Sequence, residues 1–142
     1  MGGAPQLNFV TLACADIARE AEFLRALGWT EASSSEEAHR VFQGTNGLVV
    51  ALYAAKNYEP DFGPRADGFR GFTLGLNLAT PEEVDRIHGL LRGIAGVEVL
   101  EEPFDSPHGF RGFTARDPEG NLWDVAWKEG STVTPDGDLT WN

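Results

Sequence analysis

Sulfur, histidine and positive charge are scarce in this sequence. Of 142 residues, one is cysteine, one methionine, three are histidine and 11 are lysine or arginine. A lone thiol, Cys14, excludes an internal disulfide. Its place in an apolar run, with no histidine motif beside it, reads as a core filler and not as a nucleophile. Because 22 acidic residues face 11 basic ones, the field of the molecule repels phosphate backbones and anionic lipid, and neither nucleic acid nor a membrane surface is an expected partner. No segment approaches the roughly 18 apolar residues of a membrane span. Met1-Gly2-Gly3-Ala4-Pro5 lacks the basic stretch and apolar run of a leader, which makes the cytoplasm the expected location.

What is present is ordinary globular material. A hydrophobic fraction of 42% beside 23% charged residues suits a packed core, and the length suits one domain over residues 1–142. Leu7, Phe9, Val10, Leu12 and Cys14 form a short apolar run rich in strand formers. Asp16 then caps a helix in which Ile17, Ala21, Leu24 and Leu27 recur at helical spacing, leaving Arg19, Glu20, Glu22 and Arg25 for water and Gly28 as the stop. Strands are expected at 29–33, 40–43 and 48–54, the last two joined through Asn46-Gly47 as a hairpin. Residues 56–70, punctuated by Pro60, Gly63, Pro64 and Gly68, read as a linker without regular structure.

The pattern then restarts. A strand over 71–78 leads to a helix from Pro81 to about Ala95 with Val84, Ile87, Leu91 and Ile94 on one face. Thr80 and Glu83 offer a capping box, with Pro81 at the first helical position. Strands at 97–101, 112–116 and 122–128 follow, the last after the turn Asp117-Pro118-Glu119-Gly120. Both halves read strand, helix, strand, strand, strand, over about 7–55 and 70–128, with a polar tail at 129–142.

From about Leu7 to Lys128 the chain resembles the vicinal-oxygen-chelate superfamily, which includes glyoxalase I, extradiol dioxygenases and bleomycin-resistance proteins. The resemblance rests on residues 9–16 running into Phe23-Leu24 and Leu27-Gly28-Trp29, and above all on Asp117-Pro118-Glu119-Gly120-Asn121-Leu122-Trp123-Asp124-Val125. It implies an α+β fold in which two βαβββ modules form a curved, mixed-sheet half-barrel around a cavity with the helices outside. Strand alternation then turns Phe9, Thr11, Ala13, Val49, Ala51, Tyr53, Thr73, Gly75, Asn77, Leu122, Asp124 and Ala126 toward that cavity. Trp123 and Trp127 go to the helix side and the core.

Metal-dependent members of the superfamily supply four ligands, which by position fall here on Phe9, Ala51, Thr73 and Asp124. Only Asp124 is a strong donor, so no metal and no other cofactor is expected. His39 and His88 read as surface or half-buried residues, whereas His108 sits in a loop that reaches the cavity mouth in such folds.

Deprived of metal, the cavity reads as an organic-ligand site. Phe9 and Tyr53 would supply flat faces, Thr11, Thr73 and Asn77 hydrogen bonds, and Asp124 a charge. Ala51 and His108 would line it, while Phe42, Phe104 and Phe110, together with Phe62, Phe69 and Phe113, lie where they could close over it. Aromatic faces beside a carboxylate suit planar or cationic ligands. Likeness to bleomycin-resistance proteins implies a homodimer that sequesters a drug or metabolite and so contributes to antibiotic resistance. Two alternatives stand beside this reading. One is a metal-independent lyase- or isomerase-like enzyme with Asp124 as general base and Tyr53 or His108 as partner acid. The other is a regulatory or scaffold dimer with a vestigial cavity and the tail as a contact arm.

Overall fold

In the computed structural model residues 3–141 are described; Met1 and Gly2, which fall in the segment read for a leader, and Asn142, at the end of the tail, lie outside them. The first half runs β1 (Phe9–Cys14), α1 (Ile17–Ala26), β2 (Thr30–Glu31), β3 (His39–Gln43) and β4 (Val49–Ala54). These strands form one sheet in the order β1-β4-β3-β2, with β1 and β4 parallel and Thr11 beside Ala51. The second half runs β5 (Leu74–Asn77), α3 (Pro81–Arg92), β6 (Glu98–Val99), β7 (Phe104–Asp105), β8 (Phe110–Arg116) and β9 (Leu122–Lys128). Its sheet follows the corresponding order, β5-β9-β8-β6, with β5 and β9 parallel, Gly75 beside Asp124, and β7 also pairing with β8. The fold is the expected α+β arrangement of three helices on mixed, unclosed sheets.

Alternation sorts the strands cleanly. Leu12 and Cys14 of β1, Val50 and Leu52 of β4, and Trp123 and Val125 of β9 are buried in a single hydrophobic cluster with Phe23 and Leu24 of α1 and Val84, Ile87 and Leu91 of α3. Phe23 meets Trp123 edge to face at 5.2 Å, so the first helix and the last long strand share that core. Cys14 is buried, as expected of a filler, and burial pushes its thiol far above the ordinary range.

The caps are where the sequence puts them. Asp16 Oδ1 accepts from the Arg19 amide, and Thr80 Oγ1 from the Glu83 amide. The capping box is only half formed, because Glu83 turns outward to hold Arg86 at 2.8 and 3.0 Å instead of returning to Thr80.

Four expectations need correction. Residues 56–70 are not irregular throughout: α2 (Ala55–Phe62) occupies the start of that stretch. Pro60 is tolerated because it falls near the end of an eight-residue helix, where its missing N–H forfeits one backbone bond, and Gly63 at φ 92° stops the helix at once. The strand expected at 71–78 forms only over 74–77, which leaves Thr73 outside it. Glu20 does not face water, being fully buried, and His88 is 6% exposed, edge-on to Phe113 at 4.9 Å. Within the tail, β10 (Thr132–Val133) and β11 (Leu139–Thr140) pair as a hairpin, and the Asp136 carbonyl accepts from Thr45 Oγ1 at 2.6 Å. Among the described residues, no helix is long and apolar enough to cross a membrane.

Candidate ligand-binding site

The turn between β8 and β9 is the anchor of the site. Asp117 Oδ1 accepts from the amides of Glu119 and Asn121, and its Oδ2 from Asn121 Nδ2 and Trp123 Nε1, all at 2.9–3.0 Å. Four donors on one buried carboxylate fix the turn and the entry of β9. Glu119 then reaches across to the first half, accepting from the amides of Ala15 and Asp16 at 2.8 Å each, immediately before α1 begins. A negative charge there complements the orphan amides and dipole of a helix start. Arg65 completes the knot by donating to both Glu119 and the Ala13 carbonyl.

Beneath this knot lies Glu20. Neither of its carboxyl oxygens receives a hydrogen bond from the described residues. Burial first, and then the neighbouring Asp117 carboxyl, pushes its pKa up to about 11, so the side chain is held as a neutral acid.

Two clefts flank the segment between α2 and β5. One, of about 170 Å³, is bounded by Thr11 and Ala13 of β1, Tyr58 and Phe62 of α2, Arg65 and Arg70. The other, of about 210 Å³, is bounded by Phe69, Phe72, Arg116, Gly120, Leu122 and again Arg70. Arg70, Phe72 and Asn121 border both. Tyr58 and Phe62, one helical turn apart, bring their rings to 4.8 Å, and Tyr58 meets Tyr53 of β4 edge to face. Arg70 is pinned by three acceptors: its Nε donates to the Ala66 carbonyl at 3.0 Å, and its Nη1 to the Glu119 carbonyl at 3.2 Å and Asn121 Oδ1 at 3.1 Å.

The residues expected to form one cavity are dispersed by this arrangement. Thr11 lines the first cleft. Asn77 lines a different one, of about 270 Å³, between β5, the 44–48 turn and the tail. Phe42 is fully buried, since its register partner is Val50 and both point to the helices; Phe113 is in the core as well. Ala51 has no exposed surface. Neither Phe42 nor Ala51 can touch a ligand in this conformation. Phe9, Phe104 and Thr73 are exposed, Phe110 is half-buried, and His108 sits in the exposed turn before β8; none of the five borders these clefts. Tyr53 donates to Asp61 at 3.3 Å. Asp124 is an exposed residue whose carboxyl is held above the usual range by partial desolvation and by the charge of Glu101.

Thr11, Phe62 and Phe69 are among the expected cavity residues, whereas Tyr58, Arg65, Arg70 and Phe72, which sit in or beside the Pro- and Gly-rich connection, are not. A signal was nonetheless there: Phe62, Arg65, Phe69, Arg70 and Phe72 alternate rings and cations in a stretch otherwise read as punctuation.

The chelating set of the superfamily does not fit this chain. Phe9 and Ala51 carry no donor atom, Thr73 has a weak one and lies outside its strand, and Asp124 alone cannot fix a cation. Among the described residues no three His, Cys, Asp or Glu side chains converge on a possible metal position.

Residues 6–125 match the model of the Glyoxalase/Bleomycin resistance protein/Dioxygenase superfamily. The chain belongs to that superfamily. Solved structures place it among the same relatives. A glyoxalase-related enzyme from Fulvimarina pelagi is 25% identical, with 97% of this chain and 99% of that one covered at a TM-score of 0.83. A glyoxalase/bleomycin resistance protein/dioxygenase family enzyme from Burkholderia phytofirmans PsJN is 20% identical over 87% of this chain and 99% of that one, with a TM-score of 0.76. A lactoylglutathione lyase from Agrobacterium tumefaciens is 17% identical over 88% and 95%, with a TM-score of 0.68. The last two share the fold alone. No curated protein gives a significant match.

Proposed function

We propose that this superfamily member is a metal-independent binding protein that holds or sequesters a small organic compound. One observation carries the reading: at the four places where relatives with a metal would present ligands, two side chains are hydrocarbon, while aromatic-walled clefts border the neighbouring connection. Their size limits the guest. Pockets for drug-sized molecules begin at roughly 300 Å³, and clefts of about 170 and 210 Å³ suit one or two rings. Drug resistance by capture of a large antibiotic is thereby disfavoured against retention of a small metabolite or toxin, in the cytoplasm and as a homodimer.

The enzyme reading draws on the raised carboxyl of Asp124, which a general base near neutrality needs. Its intended partners do not support it. The Tyr53 hydroxyl is engaged with Asp61, and His108 lies in a turn held by Ser106.

Elemental analysis of the purified protein should find no stoichiometric transition metal, and compounds of one or two aromatic rings should raise the melting temperature, since a ligand selective for the folded state stabilises it. One tightly held metal equivalent per chain would overturn the reading. A broad panel producing no shift would favour the scaffold alternative.

A further inference from the structure

In an acidic chain, arginines find carboxylates easily. Of the nine arginines here, eight form ion pairs: Arg19 with Asp16, Arg25 and Arg40 with Glu31, Arg65 with Glu119, Arg86 with Glu83, Arg92 with Glu102, Arg111 with Asp85 and Asp105, and Arg116 with Glu98. Among the described residues Arg70 is the exception. Three neutral acceptors immobilise its Nε and Nη1, and its Nη2 donates to none of them. A half-buried guanidinium kept from carboxylates and locked by carbonyls has already lost the rotamer freedom that binding an anion would otherwise cost.

Its surroundings specify the rest of the guest. Phe69 and Phe72 stand beside it at the wall of the larger cleft, 68% and 49% exposed, with Leu122 opposite. Large aromatic surface left in water next to an unpaired cation is poorly disposed energetically until something flat and negative covers both. The second cation of that cleft, Arg116, is held at 2.7 Å by Glu98 and adds little net charge. Against a net charge of −11, a singly charged group is admitted more readily than a doubly charged phosphate.

We propose that Arg70 reads a carboxylate on the ligand and that the preferred guest is a small aromatic carboxylate, its ring laid against Phe69 and Phe72. This assignment rests on the organic-ligand reading above and replaces the cationic ligand expected from Asp124, which borders neither cleft.

Calorimetric titration with naphthoate, naphthylmethanol and naphthylmethylammonium separates the possibilities, because the three share a ring and differ in charge. Naphthoate should bind at least tenfold more tightly than the alcohol, with the ammonium weakest. Arg70→Gln should bring the naphthoate-to-alcohol affinity ratio down to about one. Because Arg70 also holds the Glu119 carbonyl, Arg70→Lys serves as a second variant that keeps the charge and loses the planar fork. It should cut the naphthoate-to-alcohol ratio at least threefold, and an unchanged ratio overturns the assignment. Equal binding of all three, or preference for the ammonium, sinks the carboxylate while leaving an organic guest in place. No binding by any of them sinks both.

Discussion

Replacing Glu20 with glutamine should make the protein more stable, although the side chain is completely buried. The folded-state pKa is pushed up to about 11 from an ordinary 4.5, so folding takes up a proton everywhere between those values. The contribution of Glu20 is therefore fully favourable below pH 4.5 and is lost progressively as pH rises toward about 11. At about 1.4 kcal/mol per pH unit, the loss at pH 7 is about 3 kcal/mol. Glutamine keeps the shape and needs no proton to stay neutral. In urea denaturation, Glu20→Gln should gain about 1–3 kcal/mol at pH 7, which corresponds to roughly 3–10 °C in Tm for a chain of this size. The difference should shrink toward zero at about pH 4.5 and widen at about pH 9. A variant less stable than the parent at pH 7, or a difference that does not change with pH, would refute the neutral-acid account of this side chain.

Three further perturbations address other parts of the fold. A Cβ at Gly112 would sit 2.7 Å from the Val125 carbonyl and 3.1 Å from the Ala126 side chain, so Gly112→Ala should cost about 1–3 kcal/mol by forcing β8 from β9, measurable by chemical denaturation. Glu119→Gln removes the charge that serves two amides and Arg65 and should cost about 1.5–3 kcal/mol, with the amides of Ala15 and Asp16 losing hydrogen-exchange protection first. Thr80→Ala should cost about 1 kcal/mol through its lost cap, and Thr80→Asn should restore it.

Much of the fold could be read from residue order because its signals are local. Asp16, Thr80 and Pro81 mark helix starts by chemistry that needs no tertiary partner, and the Asp117–Asn121 turn closes on its own backbone. Positions 20 and 88 escape the sequence pattern for the opposite reason. Glu20 lies on the 17-20-21-24 stripe of α1 and His88 on the 84-87-88-91 stripe of α3, but their polarity outweighed their spacing. His88 is accommodated by a group distant in sequence, the Glu101 carbonyl, and Glu20 by staying uncharged in its buried place. Aromaticity alone argues for Phe42 at the cavity, whereas its register with Val50 sends it to the core. The cleft residues were hardest to see, because Arg70 acquires meaning only when the chain folds back and places it beside Asn121.

The bond from Glu119 to the amides of Ala15 and Asp16 ties the last long hairpin to the first strand–helix junction. Each half pairs its own first and last strands, but this tie and the shared hydrophobic core are lost when the other half departs. A scanning calorimeter should therefore record one heat-absorption peak, and separately expressed fragments cut at Gly63 should assemble only as a mixture, each remaining unstructured alone.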